Sequence, residues 1–208
     1  MGPGGGPGGM LGVGRGVGPD GGPGGWPSEG PSAGPGGEPN KDSKMSTKHV
    51  FSKSLSKGNV GEQELLRLFS GLTKANGRTG DLWLGDKKVE LKTDYYSTAT
   101  SANFFLERWS DIEKQKVGGP WQAAQHECTY FVYYFIDSKA GWVFDTTQLL
   151  KELEQMSSLK PVEIKNVRWT TVGFKVPRSA VKSLFTWTGV PAQLLAGDAA
   201  LFELFKGK

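Results

Sequence analysis

Cysteine and histidine are nearly absent from this 208-residue chain, which has one cysteine and two histidines. The lone Cys128 excludes an intrachain disulfide, and nothing in the composition indicates an oxidising compartment. His126 lies close to Cys128 in sequence, but without a second His/Cys pair the two do not indicate a structural zinc site. Candidate functional residues are therefore expected among the other residue types.

Long apolar runs are also missing. The longest one, residues 130–136, is far too short to span a bilayer. The N-terminal residues lack the apolar core of a signal peptide. We therefore expect a soluble cytoplasmic protein that has no membrane partner.

Aliphatic residues are scarce in residues 1–44, which hold 18 of the 31 glycines and 8 of the 12 prolines. Such a segment cannot bury enough apolar surface to offset its ordering entropy, so we expect a disordered Gly/Pro-rich arm. Residues 45–208 have an ordinary globular composition and the length of one domain. The arm has a net charge of −1 and the rest of the chain +5, a mildly basic balance that suits a nucleic-acid partner.

The order of predicted elements indicates an α/β or α+β domain with a mixed central sheet. Asn59 and Glu62 are typical of a helix start with Asn59 as N-cap, and the leucine spacing continues until about residue 75. Residues 129–136 are almost all aromatic or β-branched, which predicts a central strand buried on both faces. The other predictions are strands at 79–84, 87–95, 101–109, 142–144, 162–169 and 171–176, and helices at 121–127, 147–157 and 192–205.

The predicted hairpin at residues 79–95 carries charged residues where a sheet gains nothing from them. If Gly85 and Asp86 form its two-residue turn, counting along the ladder places Asp81 directly opposite Glu90. Their Cβ atoms would then lie roughly 4.5 to 5.5 Å apart, which is destabilising for like charges. Strand alternation also places Lys92 on the same face. The opposite face is apolar and is formed by Leu82, Leu84, Val89 and Leu91.

A divalent cation would remove the repulsion between Asp81 and Glu90. Mg²⁺ takes carboxylate oxygens, keeps several waters and binds substrate phosphate. Lys92 can then hold or polarise the water that attacks a phosphorus atom. The competing interpretation is an exposed polar face on which Lys92 only relieves the repulsion.

Asp81 followed by Glu90-Leu91-Lys92 resembles the PD-(D/E)xK signature of the restriction-endonuclease-like nuclease superfamily, with Gly80 in place of the proline. The resemblance implies that Asp81, Glu90 and the Leu91 carbonyl bind Mg²⁺ or Mn²⁺. It also implies that Lys92 serves the nucleophilic water.

This resemblance covers about residues 59–144 and implies an αβββαβ core, to which residues 145–208 are C-terminal additions. Many members of the superfamily carry a glutamate in the first helix that reaches the metal-bound water. Glu62 resembles that glutamate, and helix capping is the alternative role for it.

Several other residues are weaker candidates. Glu107 either supports the site from outside or pairs with the adjacent Arg108, which is itself a candidate substrate contact. Gln122 and Gln125 resemble a glutamine that some members place near the scissile phosphate, although a solvated helix face is the simpler interpretation. Four aromatic residues would either stack on unpaired bases or pack in the core: Tyr95, Tyr96, Trp109 and Trp121.

We therefore expect a Mg²⁺- or Mn²⁺-dependent deoxyribonuclease, an endonuclease rather than an exonuclease, that hydrolyses phosphodiester bonds of DNA. Similarity to short phage-encoded and junction-resolving members suggests a role in replication, recombination or DNA degradation. The form of the DNA and the choice between monomer and homodimer stay open. The two rivals are a non-catalytic nucleic-acid-binding module of the same fold and a scaffold protein whose Gly/Pro-rich arm is the functional part.

Overall fold

The computed structural model describes residues 58–76 and 79–207, all of which belong to one compact unit. The predicted arm at residues 1–44 lies outside the described residues. The fold is α+β with a mixed central sheet, as expected from the sequence. The helices in the described residues are α1 (58–68), α2 (Gly119–Gln125), α3 (Thr146–Gln155) and α4 (Ala199–Lys206).

Eleven strands form two sheets within the described residues. The strands are β1 (Leu72–Lys74), β2 (Leu82–Leu84), β3 (Lys87–Asp94), β4 (Asn103–Asp111), β5 (Lys116–Val117), β6 (Tyr130–Phe135), β7 (Ala140–Asp145), β8 (Pro161–Lys165), β9 (Thr170–Pro177), β10 (Phe185–Thr188) and β11 (Gln193–Gly197). The central sheet has the order β1-β2-β3-β6-β7-β10-β11, and the second sheet has the order β5-β4-β9-β8. Strands β3 and β6 are parallel, and every other pairing in the two sheets is antiparallel.

Strand β6 is buried on both faces, which confirms the prediction for residues 129–136. Because strand side chains alternate, Val132 and Tyr134 enter one core cluster, while Phe131, Tyr133 and Phe135 enter another. The first cluster also holds apolar side chains of α1 and α4. The second holds side chains of α2, α3 and the second sheet. The central sheet is therefore covered on both sides.

Helix α1 differs from its prediction at both ends. Asn59 already lies inside the helix, so it is not the N-cap, and helical structure stops at residue 68. The backbone N–H of Gly71 donates to the carbonyl of Phe205 at 2.9 Å. A Cβ at Gly71 would lie only 2.2 Å from the carbonyl oxygen of Leu204. The end of α4 thus packs directly on the chain after α1, which turns into β1 instead of continuing as a helix.

The C-terminal prediction of one helix at 192–205 was wrong. Residues 193–197 form strand β11, and only Ala199–Lys206 is helical. Gly197 has φ of +106°, which interrupts any helix. Asp198 then caps α4, because its Oδ1 accepts from Leu201 N at 2.9 Å.

The strand predicted at residues 101–109 exists as β4, but it does not join the central sheet. It pairs with β5 and β9 in the second sheet. The expected run of three consecutive strands was β2, β3 and β4 in one sheet. The central sheet instead contains β1, β2 and β3 in that order, and β4 lies outside it. No helix within residues 58–76 and 79–207 is both long enough and apolar enough to cross a membrane.

Candidate functional site

The β2–β3 hairpin has the predicted turn. Leu84 pairs with Lys87 across Gly85 and Asp86, and the ladder ends at Leu82 paired with Val89. Gly85 has φ of +59°, a conformation that glycine adopts without strain. The register of the hairpin was therefore predicted correctly up to the last pair of the ladder.

Asp81 lies immediately outside that ladder rather than in a regular pair with Glu90. Its backbone N–H donates to the carbonyl of Val89 at 3.0 Å. Its Oδ2 accepts the backbone N–H of Leu91 at 2.8 Å. Asp81 is thus bound to β3 through both its main chain and its carboxylate. The N–H and C=O groups of one strand residue point to the same side, so the Leu91 carbonyl lies on the side of β3 that Asp81 occupies.

Apolar and charged side chains lie on opposite faces of the hairpin, as strand alternation predicts. Leu82, Leu84 and Val89 are buried in the first core cluster, and Leu91 packs against it. Glu90 and Lys92 occupy the other face of β3. Their neighbours on β6, which belong to the second cluster, are Phe131 and Tyr133.

Burial and neighbouring carboxyl groups raise the pKa of both Glu90 and Asp81. Burial, followed by the charges of Asp81 and Glu62, raises the pKa of Glu90 to about 8. Burial also raises the pKa of Asp81, with a further contribution from Glu62, although the hydrogen bond from Leu91 opposes it. The side chains of Glu90 and Glu62 are only 12% and 18% exposed. This face therefore gathers negative charge in a place that water reaches poorly.

Glu62 comes from α1 and forms an ion pair with Lys74 at 3.3 Å, between Oε2 and Nζ. Its charge acts on both Asp81 and Glu90. The sequence offered helix capping as the alternative role, but residues 58–60 before it are already helical. Glu62 is therefore part of the charged cluster, and its own counter-charge is supplied by β1.

The ammonium of Lys92 is paired with a carboxylate from another strand. Its Nζ donates to Oε1 of Glu107 on β4 and forms an ion pair with it. The sequence left two roles open for Glu107, and the structure pairs it with Lys92. Arg108 instead lies over the rings of Trp109 and Trp121, at 5.4 and 5.0 Å from their centroids.

His126 lies at the C-terminal end of α2, next to the carboxylate cluster. Its Nδ1 is 3.8 Å from Oε2 of Glu90, and that nitrogen is buried without a hydrogen-bond partner. Cys128 is buried, and its pKa is raised to about 12 by burial and then by the charge of Glu90. In the metal-free protein, a thiol with that pKa stays protonated at neutral pH.

The remaining candidates are dispersed. Gln122 is half-buried and Gln125 is exposed on α2. Tyr95 packs against the first core cluster, on the side of the sheet away from Glu90 and Lys92. Tyr96 is 70% exposed. Arg108 and Trp121 line a surface cavity of about 320 Å³ together with Leu153, Glu154, Met156, Leu159 and Phe174.

Sequence reasoning missed the contact of His126 with Glu90 and the pairing of Lys92 with Glu107. Both contacts join residues from separate elements, α2 with β3 and β4 with β3. The residue types gave a weak signal, since both partners are ionisable groups near the motif. Their spatial placement depends on how the second sheet and α2 dock on the central sheet, which residue spacing does not encode.

The carboxylates of the cluster do not form a closed cage of protein ligands. In the part of the chain that the structure describes, no group of three or more His, Cys, Asp or Glu side chains could hold a metal ion. Asp81 and Glu90, the side-chain metal ligands predicted from the sequence, therefore lack a third side-chain ligand of these types. Mg²⁺ commonly binds through one or two carboxylates, substrate phosphate and several waters.

Comparison with models of known protein families gives no match, and neither does comparison with curated proteins or with solved structures.

Proposed function

We propose that this protein is a Mg²⁺- or Mn²⁺-dependent nuclease that hydrolyses phosphodiester bonds of DNA. The observation that carries the proposal is the clustering of Asp81 and Glu90 on one sheet face, with Lys92 two residues further along β3. Burial raises the pKa of both carboxyl groups, the charge of Glu62 adds to both shifts, and the charge of Asp81 adds to that of Glu90. Such an arrangement is costly for the fold and favourable for a cation.

The residues of the cluster fit a divalent ion. Asp81 and Glu90 would supply anionic oxygens, and the Leu91 carbonyl a neutral one. The hydrogen bond from Leu91 N–H holds the Asp81 carboxylate against β3, so one ligand is oriented in advance. When bound, such an ion would stabilise charge on the phosphate and make water a stronger nucleophile.

The other residues have roles that follow from their charge and position. Lys92 carries a compact ammonium that can orient a water molecule or balance charge on a phosphate oxygen. Glu62 adds negative charge to the cluster without being placed as a third ligand. The mechanism does not require a histidine base, because a bound metal lowers the pKa of water.

The element order also supports membership in the PD-(D/E)xK nuclease superfamily. A helix precedes a hairpin that carries the motif, and the second hairpin strand lies parallel to a buried strand that follows another helix. The departure is β4, which belongs to the second sheet. Fold similarity is a weak guide to substrate, so the roles in replication, recombination or DNA degradation rest on the resemblance alone.

One observation favours the rival function, a nucleic-acid-binding module without catalysis. The ammonium of Lys92 is engaged by Glu107 and would be less free to act on water if that pair persists with DNA bound. This rival predicts DNA binding without cleavage under any metal condition.

Cleavage assays separate the two functions. Supercoiled plasmid, branched DNA and single-stranded DNA should each be incubated with the protein in Mg²⁺, Mn²⁺ or EDTA. We expect cleavage only with a divalent ion, and loss of cleavage in Asp81→Asn with DNA binding retained. Asp86→Asn is the matched control, because Asp86 is an exposed aspartate in the turn of the same hairpin. Cleavage by Asp81→Asn at the wild-type rate would remove the carboxylate cluster from the proposed mechanism.

A further inference from the structure

Strand β4 is fixed above β3 by a buried tyrosine. The hydroxyl of Tyr133 donates to Oδ2 of Asp94 at 2.5 Å and accepts the backbone N–H of Phe105 at 3.1 Å. Tyr133 lies on β6, Asp94 on β3 and Phe105 on β4, so one hydroxyl joins the two sheets. Lys92 lies two residues before Asp94 on β3, and Glu107 lies two residues after Phe105 on β4. The second sheet thus brings a carboxylate to the lysine of the motif.

The pairing of β4 becomes irregular immediately after Glu107. Glu107 is still paired with Gly173 of β9, and the register then changes between Glu107 and Trp109. Bulges of this kind often lie beside functional sites. Glu107 is therefore the last residue of the regular ladder before the irregularity.

Two glycines enclose Glu107 from the start of α2. A Cβ at Gly118 would lie 3.1 Å from the Cβ of Glu107 and 3.2 Å from its Oε2. A Cβ at Gly119 would lie 2.9 Å from the Glu107 carbonyl oxygen, and Gly119 has φ of +49°. The side chain of Glu107 thus has little room to move away from Lys92. The pair is also shielded, because the side chains of Lys92 and Glu107 are 30% and 21% exposed.

We propose that Glu107 is the positioning residue for Lys92, and this inference rests on the proposed nuclease function. A lysine on a flexible stem next to Asp81 and Glu90 would pair with those carboxylates and compete with a metal ion. Glu107 gives the ammonium a separate counter-charge. Lys92 is thereby held beside the site without occupying the carboxyl oxygens of Asp81 and Glu90 that a metal would use.

Glu107→Gln tests this role, with Glu127→Gln as the matched control. Glu127 also pairs with a lysine of β3, Lys88, at 3.6 Å, but it is itself 87% exposed. We expect Glu107→Gln to lower the single-turnover cleavage rate on the order of 10-fold and to raise the half-saturating Mg²⁺ concentration several-fold. The affinity for DNA should stay close to that of the wild type. Glu127→Gln should change none of these quantities.

A kinetic double-mutant cycle distinguishes positioning from a structural effect. If Glu107 acts through Lys92, adding Glu107→Gln to Lys92→Ala should cause little further loss. Urea denaturation of each variant reports folding separately. Gly118→Ala is a second probe, because it keeps both charged residues while displacing Glu107, and it should reproduce part of the loss.

The inference is overturned if Glu107→Gln cleaves as fast as the wild type or faster, or if its loss multiplies fully with that of Lys92→Ala. If the wild-type protein shows no metal-dependent cleavage at all, the proposed function fails. The contact is then judged from the NMR signal of the Lys92 side chain, assigned by its disappearance in Lys92→Ala. A signal that moves in Glu107→Gln but not in Glu127→Gln supports the contact, and an unmoved signal overturns it.

Discussion

Replacing Glu90 by glutamine should stabilise the metal-free protein at pH 8. Glutamine keeps the shape of the side chain but removes a charge that is buried beside Asp81 and Glu62. His126, whose Nδ1 is 3.8 Å from Glu90, is the neighbouring group that can oppose this effect when it is protonated. Most substitutions lower the stability or leave it unchanged, so a gain is a specific expectation of the repulsive cluster.

The magnitude and pH window follow from the pKa of Glu90, which is raised from 4.5 to about 8 in the folded protein. Below pH 4.5 the carboxyl is protonated in both states, and it has no effect. As the pH rises towards 8, the unfolded chain releases this proton and the folded protein retains it, so the folded state is destabilised progressively. At about 1.4 kcal/mol per pKa unit, and with some screening of a side chain that is 12% exposed, the full effect is on the order of 2 to 4 kcal/mol.

The assay is urea denaturation in EDTA at pH 5 and at pH 8, which gives the free energy of unfolding. The free energy of unfolding of Glu90→Gln should exceed that of the wild type slightly at pH 5 and by the full effect, on the order of 2 to 4 kcal/mol, at pH 8. Glu163→Gln serves as the control, since Glu163 is exposed on a strand of the second sheet, and it should show no such trend. Added Mg²⁺ should stabilise the wild type more than Glu90→Gln. If Glu90→Gln is no more stable than the wild type at pH 8, the inference of a repulsive cluster is refuted.

Three further predictions concern other parts of the chain. Lys92→Ala should lower the single-turnover cleavage rate on the order of 10² to 10³ with little change in DNA affinity, and a mutant that binds weakly but cleaves normally at saturation would end the catalytic role. Gly61→Ala should lower the free energy of unfolding by roughly 1 to 3 kcal/mol, because the added Cβ would lie 2.0 Å from Oγ1 of Thr93. Adding Thr93→Ala should restore part of the loss, and an unchanged urea midpoint in Gly61→Ala would contradict this contact. A chain that begins at Met45 should fold and cleave like the full chain, and loss of cleavage would show that the arm takes part in substrate capture or assembly.

Local patterns predicted the hairpin and the central strand well. The Gly85-Asp86 turn determines the register of β2 with β3, and an error of one residue would have moved Leu82 and Val89 out of the core. Strand β6 was equally clear, because aromatic and β-branched residues fill both of its faces. In both cases the information lies within a few neighbouring residues.

The sequence was less informative where two distant segments determine the structure. Leu194 and Leu195 fit a helical pattern, yet pairing with β10 makes them part of β11. Leu72 also fits the pattern of α1, but contact with the end of α4 ends that helix earlier. These outcomes depend on partners far away in the chain, and tertiary contacts routinely override local propensity.

The polar row on β3 shows how the fold treats its charged residues differently. Glu90, Lys92 and Asp94 alternate along one face, beside Phe131, Tyr133 and Phe135 of β6. The fold gives Lys92 a carboxylate from β4, and it gives Asp94 the hydroxyl of Tyr133.

Glu90 receives a different environment from the other two members of that row. The charges that raise its pKa are those of Asp81 and Glu62, while the imidazole of His126 stays beyond hydrogen-bond distance at 3.8 Å. The fold thus supplies partners for Lys92 and Asp94 but surrounds Glu90 with like charges. A cation bound beside Glu90 would therefore lower the free energy of the folded protein. That difference within a single strand is the physical reason for proposing a metal site at Asp81 and Glu90 rather than elsewhere along β3.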